Sequence, residues 1–193
     1  MQTTIETPDI SGVVSRIRAA ASPETLRGAY KAAADGVADL VVKHFRMRGA
    51  KPSSNPGWPK SNFWGDASET ENYAVRDDDE GGSVTFSKEG VALRLHGGTV
   101  RPTGGKKFLA IPVNRLVATM WPSEYTGEGN KIFQWRSKTG NRFLAESDGK
   151  NLRLLWLLKE QTVHQPDPTV LPRNDELQTA ATEAAEIALR RHL

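Results

Sequence analysis

The constraint that most limits the fold is a change of hydrophobic period partway along the chain. Leu26, Tyr30, Ala33, Val37, Leu40, Val41 and Phe45 recur near helical spacing, which predicts one buried face on a long amphipathic helix. Ser22-Pro23-Glu24 supplies its start: a hydroxyl to cap free N–H groups, a proline for the first turn and an acid at the positive end of the dipole. Lys43, Arg46 and Arg48 sit near its end, and Gly49 is the expected stop. From Tyr73 the period becomes two. Tyr73–Val75, Ser83–Ser87, Val91–Leu95 and Phe108–Ile111 read as strands, with an acidic turn over Asp77–Gly82. Residues 114–130 read as irregular. Lys131–Arg136 and Arg142–Ala145 form an expected hairpin about Ser137–Asn141, and Leu152–Val163 reads as mostly strand. A last helix starts at Asn174-Asp175-Glu176, with Leu177, Ala181, Ala184 and Ala188 on one close-packing face.

Helix, several strands, helix in that order predicts an α+β fold: a mostly antiparallel sheet with a long N-terminal and a C-terminal helix on one face, plus extended loops. At 193 residues the chain is expected to hold one domain, over 22–193. Residues 1–21 are polar with a weak helical pattern at Val13, Val14, Ile17 and Ala20, and read as an arm or a short helix outside the core.

Composition removes several function classes. There is no cysteine, so disulfides, thiolate metal sites and cysteine nucleophiles are excluded. No apolar run approaches the roughly 18 residues of a membrane span, and MQTTIETPDI lacks the basic and apolar regions of a signal peptide. The expectation is a protein made in a cytoplasm.

Net charge is only +3, but it is unevenly laid out. Lys43–Lys60 holds five basic residues and no acid; Asp66–Glu80 holds seven acids and one arginine; Lys88–Arg115 is basic again. Blocks of opposite sign favour complementary contact between copies or with a partner, although a solvated surface accounts for them equally well. Within the last block, Leu93–Val113 carries Gly97-Gly98 and Gly104-Gly105 about Arg101, Lys106 and Lys107. Compact connections usually take two to five residues, so this longer, basic, glycine-rich loop reads as one held out to touch something. Trp58, Phe63 and Trp64 lie in a Pro/Ser/Asn/Gly-rich stretch over 49–71; three large rings argue for packing and against a plain linker.

No catalytic signature is present: neither GxSxG, HExxH, GxxxxGK[ST] nor a GxGxxG that follows a strand. His44, His96, His164 and His192 are scattered, without carboxylates at ligand spacing. Asp77, Asp78, Asp79, Glu80 and Gly82 lack the alternating spacing and closing glutamate of a calcium loop, and a solvated turn is the better reading. No cofactor or metal is expected, and an enzyme is not. The cations and Trp58 of 43–60, with Trp64 beyond, can line a path for DNA without reading its sequence; no binding-module signature appears.

The segments LHGGTVRP (Leu95–Pro102) and KFLAIPV (Lys107–Val113) resemble the virion morphogenesis or tail-completion family of tailed bacteriophages. Gly57-Trp58-Pro59 is similar to that family's Gly-x-Trp loop, and Lys131–Pro172, with LLWLLKEQTVHQPDPTVLP, to its late section. The likeness spans roughly 23–193; the chain departs from it at His164-Gln165-Pro166-Asp167-Pro168, where the family more often has an Ile-Pro-x-Arg-Pro step. The resemblance implies a structural virion protein at the head–tail junction: a tail-terminator-like subunit of a ring, often sixfold, bounded by connector or adaptor and tail-tube proteins, with DNA passing through the lumen. On that reading Trp58, Trp64, Asp77, Asp78, Asp79, Glu80, Arg101, Lys106 and Lys107 are interface residues, and Arg46, Arg48 and Lys51 face DNA. The alternatives are a head-completion or minor capsid protein, a non-specific DNA-binding protein, and a hydrolase whose site assembles only in space.

Overall fold

The computed structural model describes residues 2–6, 9, 11, 14, 22–51, 58–59, 61–77, 81–127, 131–147, 149 and 151–190. Val13, Ile17, Ala20, Gly57, Asp78, Asp79, Glu80 and His192, all invoked above, lie outside these residues. The chain divides into two compact units, where the sequence reads as a single domain. The first joins Met1–Lys51, Ser61–Gly97 and Gln165–Leu193; the second joins Pro52–Lys60 and Gly98–His164.

In the first unit, α1 (Pro23–Ala50) starts as its sequence dictates. Ser22 Oγ accepts from the Thr25 N–H at 3.3 Å, and Pro23 and Glu24 fill the first turn. Its buried line runs through Tyr30, Ala33, Ala34, Val37, Val41 and Phe45. Gly49 does not end the helix. It lies inside the last turn, where a methyl group would stand 3.3 Å from Gly65 N and 3.5 Å from Trp64 Cβ. The glycine therefore serves a close crossing with α2 (Phe63–Ala67).

The C-terminal helix α4 (Asn174–Arg190) packs along α1. A methyl at Gly36 would come within 2.7 Å of Ala184 Cβ and 2.9 Å of the Ala180 carbonyl oxygen. The fully buried line is Leu177, Ala181, Ala185 and Leu189, with Ala184 and Ala188 half-buried beside it.

Strands β1 (Thr3–Glu6), β2 (Tyr73–Asp77) and β3 (Gly82–Phe86) form an antiparallel sheet in the order β1-β3-β2. Part of the expected N-terminal arm is thus a sheet strand: Thr3 pairs with Phe86 and Ile5 with Val84, and Ile5 and Val14 are buried. Phe86 sits at the centre of an aromatic core, 5.2 Å from the Phe45 ring and 5.6 Å from Tyr73, and Phe45 lies 5.2 Å from Trp64.

The expected strand at Val91–Leu95 is instead the short helix α3 (Val91–His96). Val91 and Ala92 are buried and Leu95 packs on the same core, which is the i, i+1, i+4 face of a helix.

The second unit holds two more antiparallel sheets. Strands β5 (Leu109–Pro112), β6 (Phe133–Arg136), β7 (Arg142–Ser147) and β8 (Leu152–Lys159) order as β5-β8-β7-β6, and β4 (Gly98–Val100) pairs with β9 (Thr162–His164). The β6–β7 hairpin closes over Ser137–Asn141 as the sequence predicts. A bulge in β8 sets Leu144 against Trp156 but Ala145 against Leu154. It breaks the alternation, so adjacent Leu155 and Trp156 are both fully buried. They pack with Val117 and the edge of the Tyr125 ring, 5.6 Å from Trp156.

The fold is thus mixed helix and antiparallel sheet, with a long N-terminal and a C-terminal helix, but its strands make three sheets where one was expected. Among the described residues no helix is long and apolar enough to cross a membrane.

Candidate functional site

The Gly-rich stretch acquires a definite geometry in the second unit. β4 pairs Gly98 with His164 and Val100 with Thr162; β5 pairs Leu109 with Lys159 and Pro112 with Trp156. The two pairings belong to separate sheets, and between them residues 101–108 of one chain segment fall opposite only 160–161 of the other. The surplus chain is extruded as a loop carrying Arg101, Lys106 and Lys107, all exposed. Its tip turns at Gly104 and Gly105, with φ of +64° and +74°, and a methyl at either would meet nothing within 4 Å. Lys106 N–H closes the turn onto the Thr103 carbonyl at 3.3 Å. The left-handed backbone explains both glycines, and the open surroundings explain why no side chain is needed to fill space.

Charge follows the division into units. The second unit carries 12 Lys and Arg against five Asp and Glu, a net of +7; the first carries 14 against 18, a net of −4, together the chain's +3. The three loop cations therefore belong to the basic unit, and the acidic run 77–80 to the acidic one.

The site residues of the first unit fall into two places. Asp77 ends β2 and pairs with Arg27 of α1 at 3.4 Å, so it is partly engaged within its own unit. Trp64 and Arg48 come together: the Arg48 guanidinium carbon lies 4.7 Å from the Trp64 ring centroid. Arg48 is also held by the 3₁₀ turn Pro168–Val170, donating to Asp167 Oδ2 at 2.8 Å, to Thr169 Oγ1 at 2.9 Å and to the Thr169 carbonyl. His44 Nε2 reaches the same carbonyl at 3.0 Å.

Asp167 accepts from the Thr169 hydroxyl and backbone N–H, and these bonds, with a smaller contribution from Arg48, hold its carboxyl below the usual range. Arg48 is thus a structural tie, which sets it apart from Arg46 and Lys51, exposed near the end of α1 without an ion pair among the described residues. Trp58 belongs to the second unit and is half-buried.

Two further features escape sequence reasoning. Val113, Leu116, Met120 and Trp121 are exposed along one irregular segment of the second unit, Trp121 by 65%. The only local sign was a large ring in a stretch without period. Glu146 of β7 is almost wholly buried, accepting from Arg153 at 2.7 Å and from the Tyr125 hydroxyl at 2.9 Å. Burial first, and then the bond to Glu146, push the Tyr125 phenol above its ordinary value. This trio ties Tyr125 to the β7–β8 pair. Among the described residues, no three His, Cys, Asp or Glu side chains stand where they can hold a metal ion.

No family model, curated protein or solved structure matches the chain.

Proposed function

We propose that the chain is a virion-assembly protein of a tailed bacteriophage: a tail-completion, tail-terminator-like subunit that forms a ring, sixfold in the simplest case, at the head–tail junction. The observation that carries the reading is the extruded basic loop on a unit of net +7, in a chain whose other unit is net −4. A cyclic ring has heterologous contacts, so each copy must present two different, complementary surfaces. An exposed loop edge carrying Arg101, Lys106 and Lys107 suits an acidic surface on the next subunit, and the exposed side chains of Val113, Leu116, Met120 and Trp121 supply apolar area for a neighbouring connector or tail-tube protein. DNA can traverse such a ring along Arg46 and Lys51 without sequence readout.

The test is assembly. Reversing Arg101, Lys106 and Lys107 to glutamate is expected to leave folded monomer and abolish rings seen by electron microscopy. Rings that form as well at low salt as those of the unaltered chain would sink the reading. The +7 unit also supports a second reading, non-specific binding of duplex DNA; monomer that binds duplex with a steep salt slope would favour it.

A further inference from the structure

One cation of the first unit is oriented but unused. Arg94 lies on α3, where its carbonyl oxygen accepts from Asp167 N–H at 2.9 Å, so its backbone is fixed by the turn that holds Arg48. Its guanidinium carbon sits 4.4 Å from the Phe63 ring centroid and 5.6 Å from that of Trp64. Those rings meet edge to face at 4.8 Å, and the Trp64 ring is shared with Arg48.

Stacking occupies the face of a guanidinium and leaves the N–H groups at its edge available. Arg48 spends its donors on Asp167 and Thr169. Among the described residues, no hydrogen bond or ion pair engages the Arg94 head group.

We propose that Arg94, laid on the Phe63–Trp64 shelf beside Arg48, is the docking point for a side-chain carboxylate of an acidic protein segment. The planar fork matches a carboxylate through two parallel N–H···O bonds. The rings have already restricted the side chain, so less rotamer freedom is lost on binding. The local field agrees. Loss of water over the rings, and then the like charge of Arg48, pull Arg94 below the ordinary arginine value, with Asp167 offsetting part of this; an added anion relieves that repulsion.

A protein carboxylate fits better than a nucleic-acid backbone. Asp66 shares α2 with Phe63 and Trp64, Asp167 sits on Arg48, and the unit as a whole is net −4. A track of phosphates would run across these acids, whereas one inserted carboxylate need not. The proposal stands independently of ring formation.

The test uses the full chain and arginine Nε–H resonances, with Arg94 assigned by its loss in Arg94→Gln. The probe is a blocked peptide of sequence Asp-Asp-Asp-Glu, compared with a DNA duplex of about 20 base pairs. The Arg94 resonance, shifted upfield by the rings, is expected to move saturably with peptide. Affinity measured by calorimetry should weaken about tenfold or more in Arg94→Gln and change less than about twofold in Arg46→Gln. Arg94→Lys, which keeps charge and loses the planar fork, should fall between them and covers the case in which Arg94→Gln is poorly folded. No movement of Arg94, equal peptide affinity in Arg94→Gln and Arg94→Lys as in the unaltered chain, or a larger response of Arg94 to duplex than to peptide would overturn the proposal.

Discussion

Arg48 and Asp167, 119 residues apart in sequence, meet at 2.8 Å between Nη2 and Oδ2. The pair fastens the last turn of α1 to the turn that leads into α4, and it turns what reads as a basic DNA-facing residue into a fold contact. Because it joins the two ends of the first unit, it bears on stability more than on any surface role.

Asp167 therefore has a sign-defined pH dependence. Its native pKa is depressed, by the Thr169 bonds first and Arg48 next, so its contribution is present above the unfolded carboxyl value of 3.8 and is lost as pH falls through the lower native value. Its side chain is 41% exposed, so solvent screens much of the ion-pair part. Asp167→Asn is expected to melt roughly 2–4 °C lower at neutral pH. The two melting curves, followed by circular dichroism, should converge in acid.

The α1–α4 crossing makes opposite predictions for two glycines of one helix. Gly36→Ala forces a methyl into Ala184 and the Ala180 carbonyl and should cost about 1–3 kcal/mol. Gly28→Ala meets nothing within 4 Å and should stabilise by about 0.5–1 kcal/mol through helix propensity. Denaturant midpoints on both variants check this.

In the second unit, the Tyr125 phenol should titrate late, because it is desolvated and donates to Glu146. The phenol is raised, so its neutral form stabilises the fold below the unfolded tyrosine value near 10, and that contribution is lost as pH climbs through the higher native value. Absorbance at alkaline pH should show one late-titrating tyrosine, and Glu146→Gln should bring it back toward the ordinary value. Glu146→Ala, which strands the Tyr125 hydroxyl and leaves Arg153 42% exposed and able to turn to water, should cost about 1–3 kcal/mol, below the figure for a fully buried pair.

Loop shape and loop charge should separate. Alanine at Gly104 or Gly105 must adopt positive φ and should destabilise by about 1–2 kcal/mol. Arg101→Glu, Lys106→Glu and Lys107→Glu alter exposed side chains only and should each stay within about 0.5 kcal/mol of the unaltered chain in thermal melts.

The parts of the fold legible from sequence are those with long, regular period or strong capping. Ser22-Pro23 marks α1, Asn174-Asp175-Glu176 marks α4, and the 137–141 turn marks its hairpin. Short elements misled. Val91, Leu93 and Leu95 alternate like a strand, yet six residues cannot distinguish that from one and a half turns of helix, and packing against the first core decides. Thr3–Glu6 looks like a polar arm because only Ile5 announces the sheet edge it completes. The extruded loop was visible in its glycines and lysines, since local backbone needs leave local marks. The Arg48–Trp64–Arg94–Asp167 arrangement was not, because α1, α2, α3 and the 168–170 turn converge only in space.

The most direct test is the mass and symmetry of the purified 193-residue chain, by light scattering and electron microscopy at low salt, mixed with a tail-tube or connector partner where one is needed. A closed ring is predicted, near 127 kDa for six copies of the 21.2 kDa chain, that dissociates when Arg101, Lys106 and Lys107 are reversed to glutamate. A species that stays at 21.2 kDa with every such partner, or a ring indifferent to that reversal, would contradict the account.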